Sequence, residues 1–219
     1  MERCFLFGSY DTWNDWGLLL TAKTDLEPPR VKTNYVDIEG MSGSVDLSEA
    51  LSGEPTYEDR SFSASFCACD GSYEERHALL DAVISAIHGR KMKIIEPDDP
   101  SHYLYGRCSV KNVSHAVSHS TFAVDMRCDP WRYNHEETVQ IIPVGSDSPA
   151  DVRICNGGRK TVCPDITVSG QVTFTCGGFT SSATTGKYKV TTFKLYQGEN
   201  VVQVKGSGTL TLTYREANL

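Results

Sequence analysis

The sequence predicts a mainly β protein with one helix: an N-terminal β-sandwich or split-barrel-like domain with a packed α-helix, followed by a small C-terminal β-sandwich. Three observations carry this prediction. Between Ser61 and Cys69, Phe62, Ala64 and Phe66 fall on one side and Ser61, Ser63 and Ser65 on the other, the period of two of a half-buried strand. A helical repeat with signals at both ends occurs once, between Ser72 and Gly89. Beyond Glu137 no helical pattern occurs, and short apolar runs are separated by Gly, Asn and Ser every 8 to 12 residues or so, as in a sandwich.

In the first half, strands are expected at Cys4–Phe7, Gly17–Thr24, Val31–Ile38, Ser61–Cys69, Lys91–Glu96, Tyr103–Val113 and Thr121–Cys128. Ser72-Tyr73-Glu74-Glu75 has the pattern of a capping box, in which the Ser72 hydroxyl accepts from the Glu75 amide and the Glu75 carboxylate reaches back. Leu79, Leu80, Val83, Ile84 and Ile87 then form one apolar stripe, His88 lies in the last turn, and Gly89 suits the left-handed position past a helix end. That stripe is expected to cover a face of the sheet. Glu96-Pro97-Asp98-Asp99-Pro100 reads as a stiff, exposed turn, its acids lacking the alternating ligands of a calcium loop.

Cys128-Asp129-Pro130-Trp131-Arg132-Tyr133-Asn134-His135 interrupts strand pairing at Pro130 and has the texture of a domain edge. The expected division is therefore 1–135 and 136–219. In the second part short strands are expected at Thr138–Pro143, Asp151–Cys155, Asp165–Ser169, Val172–Cys176, Lys187–Lys194, Asn200–Lys205 and Thr209–Arg215. A galectin-like or jelly-roll-like sandwich would hold them.

Composition narrows the function. The 219 residues carry 28 acidic against 21 basic side chains, a formal charge of −7. A protein that grips nucleic acid usually shows a basic stripe, and the longest basic run here, Arg90-Lys91-Met92-Lys93, only follows the helix. The first sixteen residues, with charges at Glu2, Arg3 and Asp11, hold no apolar stretch long enough for a signal peptide, and no run approaches the roughly 18 residues of a membrane span. Folding in a cytoplasm and no membrane association are expected. The eight cysteines are then not expected to form a disulfide framework. Cys67 and Cys69 would share a strand face about 7 Å apart. Zinc ligation by Cys67, Cys69, Cys108 and Cys128 competes with the favoured reading, buried thiols acting as small hydrophobes.

No catalytic, cofactor or metal site is legible. Gly40-Met41-Ser42-Gly43-Ser44 lacks the second glycine and following helix of a nucleophile elbow, and Gly157-Gly158-Arg159-Lys160 lacks the spacing of a phosphate loop. His115 and His119, on one strand face, would stand about 13 Å apart, too far to share a metal.

The segments that remain resemble a known family. Trp16-Gly17-Leu18, Pro28-Pro29-Arg30-Val31-Lys32-Thr33, the run from Val36 to Ser48, and the run from Gly53 to Phe62 are similar to the N-terminal domain of the distal tail protein of long-tailed, non-contractile bacteriophages. Ile87-His88-Gly89-Arg90, Tyr103-Leu104-Tyr105-Gly106-Arg107 and Cys128-Asp129-Pro130-Trp131-Arg132-Tyr133 continue the likeness in the same order, with Glu39-Gly40 where the family usually has Pro-Gly. Asn156-Gly157-Gly158, Gly198-Glu199-Asn200 and the segment from Gly208 to Leu219 resemble the family's C-terminal sandwich.

The resemblance implies a structural virion protein without cofactor or enzyme activity, assembled in the cytoplasm of a host bacterium and found at the tail tip. N-terminal domains would build a hexameric ring around a DNA channel, and C-terminal domains would project outward. The ring would join the tail tube protein to the tail-tip hub protein, and some members anchor receptor-binding proteins. DNA would meet the chain only in transit, and an acidic channel wall would let a polyanion pass without sticking. Trp13 and Trp16 are candidate subunit-interface anchors, each alternatively a cover for its own core. Arg60 and Arg107 are candidates for fixed ion pairs within or between subunits. The runner-up function is a carbohydrate-binding adhesion module of the tail tip, which would need clustered exposed aromatics in the second half. Phe174, Phe179, Tyr188, Phe193, Tyr196 and Tyr214 are instead scattered singly.

Overall fold

The computed structural model describes residues 4–219; Glu2 and Arg3, noted above for their charge, lie outside the described residues. Residues up to Arg132, with Leu219, form one compact unit, and Tyr133–Asn218 form a second.

The first unit holds β1 (Leu6–Phe7), β2 (Tyr10–Asp11), β3 (Leu19–Lys23), β4 (Tyr35–Asp37), β5 (Ser44–Asp46), β6 (Arg60–Ala68), α1 (Tyr73–Ile87), β7 (Lys91–Ile95), β8 (His102–His115) and β9 (Ser120–Cys128). Its main sheet runs β2-β1-β7-β8-β9-β6-β3, every neighbouring pair antiparallel. Strand β6 alternates as its sequence demands. Phe62, Ala64 and Phe66 are buried, and Phe66 meets Phe5, Phe7 and Phe122 at centroid distances of 5.9, 6.2 and 5.6 Å. Leu80, Val83 and Ile87 of α1 enter the same core.

The capping box is present. Glu75 N donates to Ser72 Oγ (3.2 Å) and Ser72 N to Glu75 Oε2 (2.7 Å), bonds that hold the Glu75 carboxyl below its usual range. At the other end Gly89 takes φ 73° and its N–H reaches Cys108 O at 2.8 Å, tying the helix exit to β8. Ser72→Ala is expected to cost about 1 kcal/mol, read from thermal or urea denaturation.

Two expectations for this unit change. Only Tyr35–Asp37 of the expected Val31–Ile38 strand is extended, and it pairs with Ser44–Asp46 in a two-stranded sheet of its own, outside the main sheet. The proline-bracketed turn is not wholly exposed: Glu96 is buried and pairs with Lys23 at 2.7 Å, and Asp98 lies 2.5 Å from the same ammonium. Lysine on the edge strand thus tethers the turn.

The second unit contains β11 (Thr138–Asn156), β12 (Asp165–Cys176), β13 (Phe179–Lys189) and β14 (Gly198–Tyr214), ordered β11-β14-β12-β13; the short strands β10 (Arg132–Asn134) and β15 (Ala217–Asn218) lie before and after them in sequence. The expected short strands are the two ends of long ones: Thr138–Pro143 joins Asp151–Cys155, Asp165–Ser169 joins Val172–Cys176, and Asn200–Lys205 joins Thr209–Arg215. Glycines that looked like turn punctuation sit inside the strands. Buried positions keep one parity on both sides of the glycines: Ile166 and Val168, then Val172 and Phe174, across Gly170; and Val202 and Val204, then Leu210 and Leu212, across Gly206 and Gly208. At the crease only a hydrogen fits. A Cβ on Gly208 would stand 1.8 Å from Ser169 O, on Gly206 2.2 Å from Gln171 O, and on Gly170 2.2 Å from Ser207 O. The four strands therefore curl together, so that the two halves of one sheet close on a single core, giving the sandwich-like architecture. The strand expected at Lys187–Lys194 ends at Lys189, and its bulk, Phe179–Thr184, lies in a stretch too polar to have been read as a strand.

Buried asparagines lock two loops of this unit. Asn156 Nδ2 donates to Lys160 O (3.0 Å) and Leu195 O (3.2 Å), while its Oδ1 accepts from Gly158 N (3.0 Å). Asn200 closes the 196–200 turn in the same manner, accepting from Tyr196 N at 2.9 Å and donating to Tyr196 O at 2.8 Å. Asn156→Ala leaves the buried Gly158 N–H without its acceptor, while Leu195 O keeps Val162 N, and a loss of roughly 1–3 kcal/mol in urea unfolding is expected.

Candidate assembly surface

Several polar clusters could be mistaken for chemistry. Ser101, His102 and Asp99 have the composition of a nucleophile–base–acid set but not its wiring. Asp99 Oδ1 and Ser101 Oγ both lie on Nδ1 of His102, at 2.8 and 3.0 Å, whereas a relay needs them on opposite ring nitrogens. The group locks a turn, with Arg132 Nη1 3.3 Å from Asp99 Oδ2. Burial alone would raise the Asp99 carboxyl, but bonds from His102 and Ser101 and the nearby positive charges outweigh it and hold it low. Asp11 behaves alike: burial opposes, but N–H bonds from Asn14 and Trp13 win. Because both are lowered on folding, their stabilisation is present above the ordinary carboxylate range and is lost as pH falls through the lowered values. The thermal midpoint is expected to drop as pH goes from about 5 towards 2, less steeply in Asp99→Asn.

The expected histidine geometry is corrected. His115 and His119 do not share a strand face; they flank the turn in which Ala116 N donates to His119 O at 2.8 Å. His115 instead stacks on His77 of α1, centroids 3.8 Å apart. Cys67 and Cys69 are also closer than strand geometry gives, their sulfurs 3.1 Å apart, because β6 ends at Ala68 and the chain turns. Burial, then Cys69, pushes the Cys67 thiol up to about 11, and burial pushes Cys108 and Cys128 up to about 12. Cys108 and Cys128 pack in the apolar core as small hydrophobes. Among the described residues no group of three His, Cys, Asp or Glu side chains is placed to hold a metal ion.

The candidate contact residues are spread over the first unit. Asp11 shapes the loop that carries the tryptophans: its Oδ1 accepts from Trp13 N (2.8 Å) and Asn14 N (2.9 Å), and Gly17 N closes the turn on Trp13 O (2.8 Å). Trp13 is half-buried. Trp16 is half-buried too, packs against the unit's own core on one side and stacks on the exposed Tyr10 at 5.1 Å. Arg60 is buried and forms no ion pair among the described residues; its Nε donates to Pro130 O at 2.7 Å, fastening the start of β6 to the chain beyond β9. A guanidinium so enclosed finds a carbonyl rather than a carboxylate, and burial lowers its basicity. Arg107 differs. It is exposed on the sheet face turned away from the core, with one N–H on Gly89 O.

That face is concave. A groove of about 790 Å³ is lined by Lys91, Arg107 and Arg127 together with Asp59, Asp125 and Asp129, so its cations and carboxylates balance. Strand register sets Lys91 opposite Arg107 and Arg107 opposite Arg127, a row of three cations across β7, β8 and β9. Sequence reasoning singled out Arg107 alone, although the alternation within each strand puts all three on the outer side.

A second surface projects from the same unit. Residues 32–55 are almost wholly exposed, with Tyr35, Ile38, Met41 and Leu51 at 60, 50, 55 and 104%. The excursion is tied at its root by the Val31–Tyr57 bridge and by Lys32 N on Thr56 O at 2.8 Å. Within it, Ser44 Oγ donates to Asp37 Oδ1 (2.6 Å), and Ser48 Oγ accepts from Asn34 N (2.8 Å). It is an ordered arm without a core of its own.

No family model matches the sequence, and no curated protein matches it. Among solved structures, the crystal structure of the Dit protein (gp 19.1) of phage SPP1 matches with a TM-score of 0.71 at 14% identity, covering 98% of this chain and 99% of that one. This chain has the Dit fold. SPP1 Dit is described as a paradigm of the hub of the adsorption apparatus in phages that infect Gram-positive bacteria. The Dit fold spans both units, so the mainly β architecture with one helix predicted from sequence is the observed one. At this identity the likeness carries the fold and leaves residue roles to be argued from the chain's own geometry.

Proposed function

We propose that this protein is a structural component of a long, non-contractile phage tail: a distal tail protein whose N-terminal domain, 1–135, builds a hexameric ring while its C-terminal sandwich, 136–219, projects outward. The observation that carries this reading is the match to a tail hub fold along 98% of the chain, joined to the ordered series of family-like segments in the sequence. The ring joins the tail tube protein to the tail-tip hub protein, offers a seat for receptor-binding proteins, and leaves a channel through which DNA passes. It belongs to the virion tail tip and assembles in the host cytoplasm. The chain works by fit and transforms no substrate. Half-buried Trp16, with one side on Tyr10, serves its own fold and presents an edge to a neighbour. In the sandwich Phe174, Phe193 and Tyr214 are buried and Tyr196 is exposed, which gives little support to a sugar-binding platform.

Light scattering coupled to gel filtration tests the ring. Six copies of the 24.2 kDa chain give about 145 kDa. A species of that mass is expected; a monomer at every concentration, with or without tube protein, overturns the reading.

A further inference from the structure

We propose that Cys67 and Cys69 form a redox site: a dithiol that a low-molecular-weight disulfide oxidises to an intrachain Cys67–Cys69 bond, with Cys69 reacting first. The site lies within one chain and does not depend on ring formation.

Backbone geometry brings the pair together. On a continuous strand, sulfurs two residues apart would stand about 7 Å from each other, beyond bonding reach. Strand β6 ends at Ala68, between the two cysteines, and Gly71 at φ 81° lies in the bend that leads to Ser72, the cap of α1. The sulfurs come to 3.1 Å, so closing the bond needs an approach of about 1 Å. Cys67 is held between Leu19 of β3 and Thr121 of β9 in the sheet register, which leaves Cys69, past the strand end, as the partner that moves.

Unequal access fixes the order of events. Cys67 is 8% exposed, whereas Cys69 is open to solvent, so a dissolved oxidant meets Cys69. Burial, then Cys69, disfavours the Cys67 thiolate, and Arg76 opposes them. Arg76 is buried, donates from its guanidinium to Gly71 O and to Val117 O (2.7 Å), and keeps a buried Nε without a hydrogen-bond partner among the described residues. A spare buried donor whose charge reaches Cys67 suits a thiol that becomes an anion only while it reacts.

The exchange has two steps. The Cys69 thiolate attacks one sulfur of the oxidant RSSR, whose S–S bond breaks, and the departing half takes a proton to leave as RSH. The Cys67 thiolate then attacks Cys69 Sγ, the mixed disulfide breaks, and a second RSH leaves. Two electrons and two protons pass from the pair to RSSR. Because Cys69 stays accessible, a thiol in excess reverses the sequence.

Peptide mapping of the full chain tests the site. Trypsin cuts after Arg60 and Arg76, so one peptide, 61–76, holds both cysteines and no other. After reduction, removal of the reductant, incubation with oxidised glutathione and alkylation of the thiols that remain, this peptide is expected unalkylated and about 2 Da lighter than the dithiol. Dithiothreitol should restore it. Cys67→Ala is expected to trap the first step, with glutathione retained on Cys69. Cys69→Ser is expected to leave Cys67 a free thiol under the same exposure. Far-ultraviolet circular dichroism checks that both variants are folded, and the wild-type peptide decides alone if either is not. A wild-type peptide that stays a dithiol, keeps glutathione without closing, or links to a cysteine elsewhere in the chain overturns the proposal. Glutathione on Cys67 in folded Cys69→Ser overturns the assigned order.

Discussion

Gly208→Ala is expected to destabilise the C-terminal unit by about 3–6 kcal/mol, enough to unfold it or expose its core near physiological temperature. Two costs add. The new methyl would stand 1.8 Å from Ser169 O, a backbone atom that cannot move aside without opening the crease, and φ at 139° lies where side-chain-bearing residues are strained. Gly145→Ala is the control. It has open space around its Cβ position, and it is expected to stay within about 1 kcal/mol of the wild type. Urea unfolding of both variants, with binding of a hydrophobic dye as a second readout, distinguishes a crease that requires glycine from a strand that merely contains it.

Phe66→Ala carries the next largest effect, about 3–5 kcal/mol. Phe66 is fully buried where β6 passes under Phe5, Phe7 and Phe122, and the surrounding rings come from two segments far apart in sequence, residues 5–7 and β9, that cannot both collapse into the vacated space. Calorimetry should show the first unit melting at lower temperature. A loss below about 1 kcal/mol would mean that the core repacks freely and that the aromatic cluster does not hold the sheet together.

How much of this was legible in the sequence depended on whether the governing interaction was local. The helix was read to the residue at its start because Ser72 and Glu75 are three apart and bond to each other. The main-sheet strands were read because Phe62, Ala64 and Phe66 repeat a period that needs no knowledge of partners. The long strands of the second unit were misread because a glycine at a crease and a glycine in a turn look alike one at a time. Parity through Gly170, Gly206 and Gly208 held the answer, since the inward positions never change sides. Arg60 was expected to seek a carboxylate, but the partner is a carbonyl seventy residues away, fixed only by the fold. Glu96 looked exposed beside two prolines until Lys23, on a strand remote in sequence, covered it.

The exposed excursion and the outer sheet face were half visible. Val31 to Ile38 is apolar and alternating, so it was read as an ordinary sheet strand; nothing in those residues says that no sheet lies beneath them. The absence of any basic residue from Thr33 to Asp59 was available as a signal. The cation row was not, because strand register decides which of Lys91, Arg107 and Arg127 become neighbours.

What the protein does turns on whether copies of it close upon themselves around an open axis. Electron microscopy of the purified full chain addresses that directly. Class averages are expected to show a closed annulus of six subunits with an axial hole wide enough for duplex DNA. Single particles without a hole, or open filaments, at concentrations where the chain is folded and soluble would contradict the account.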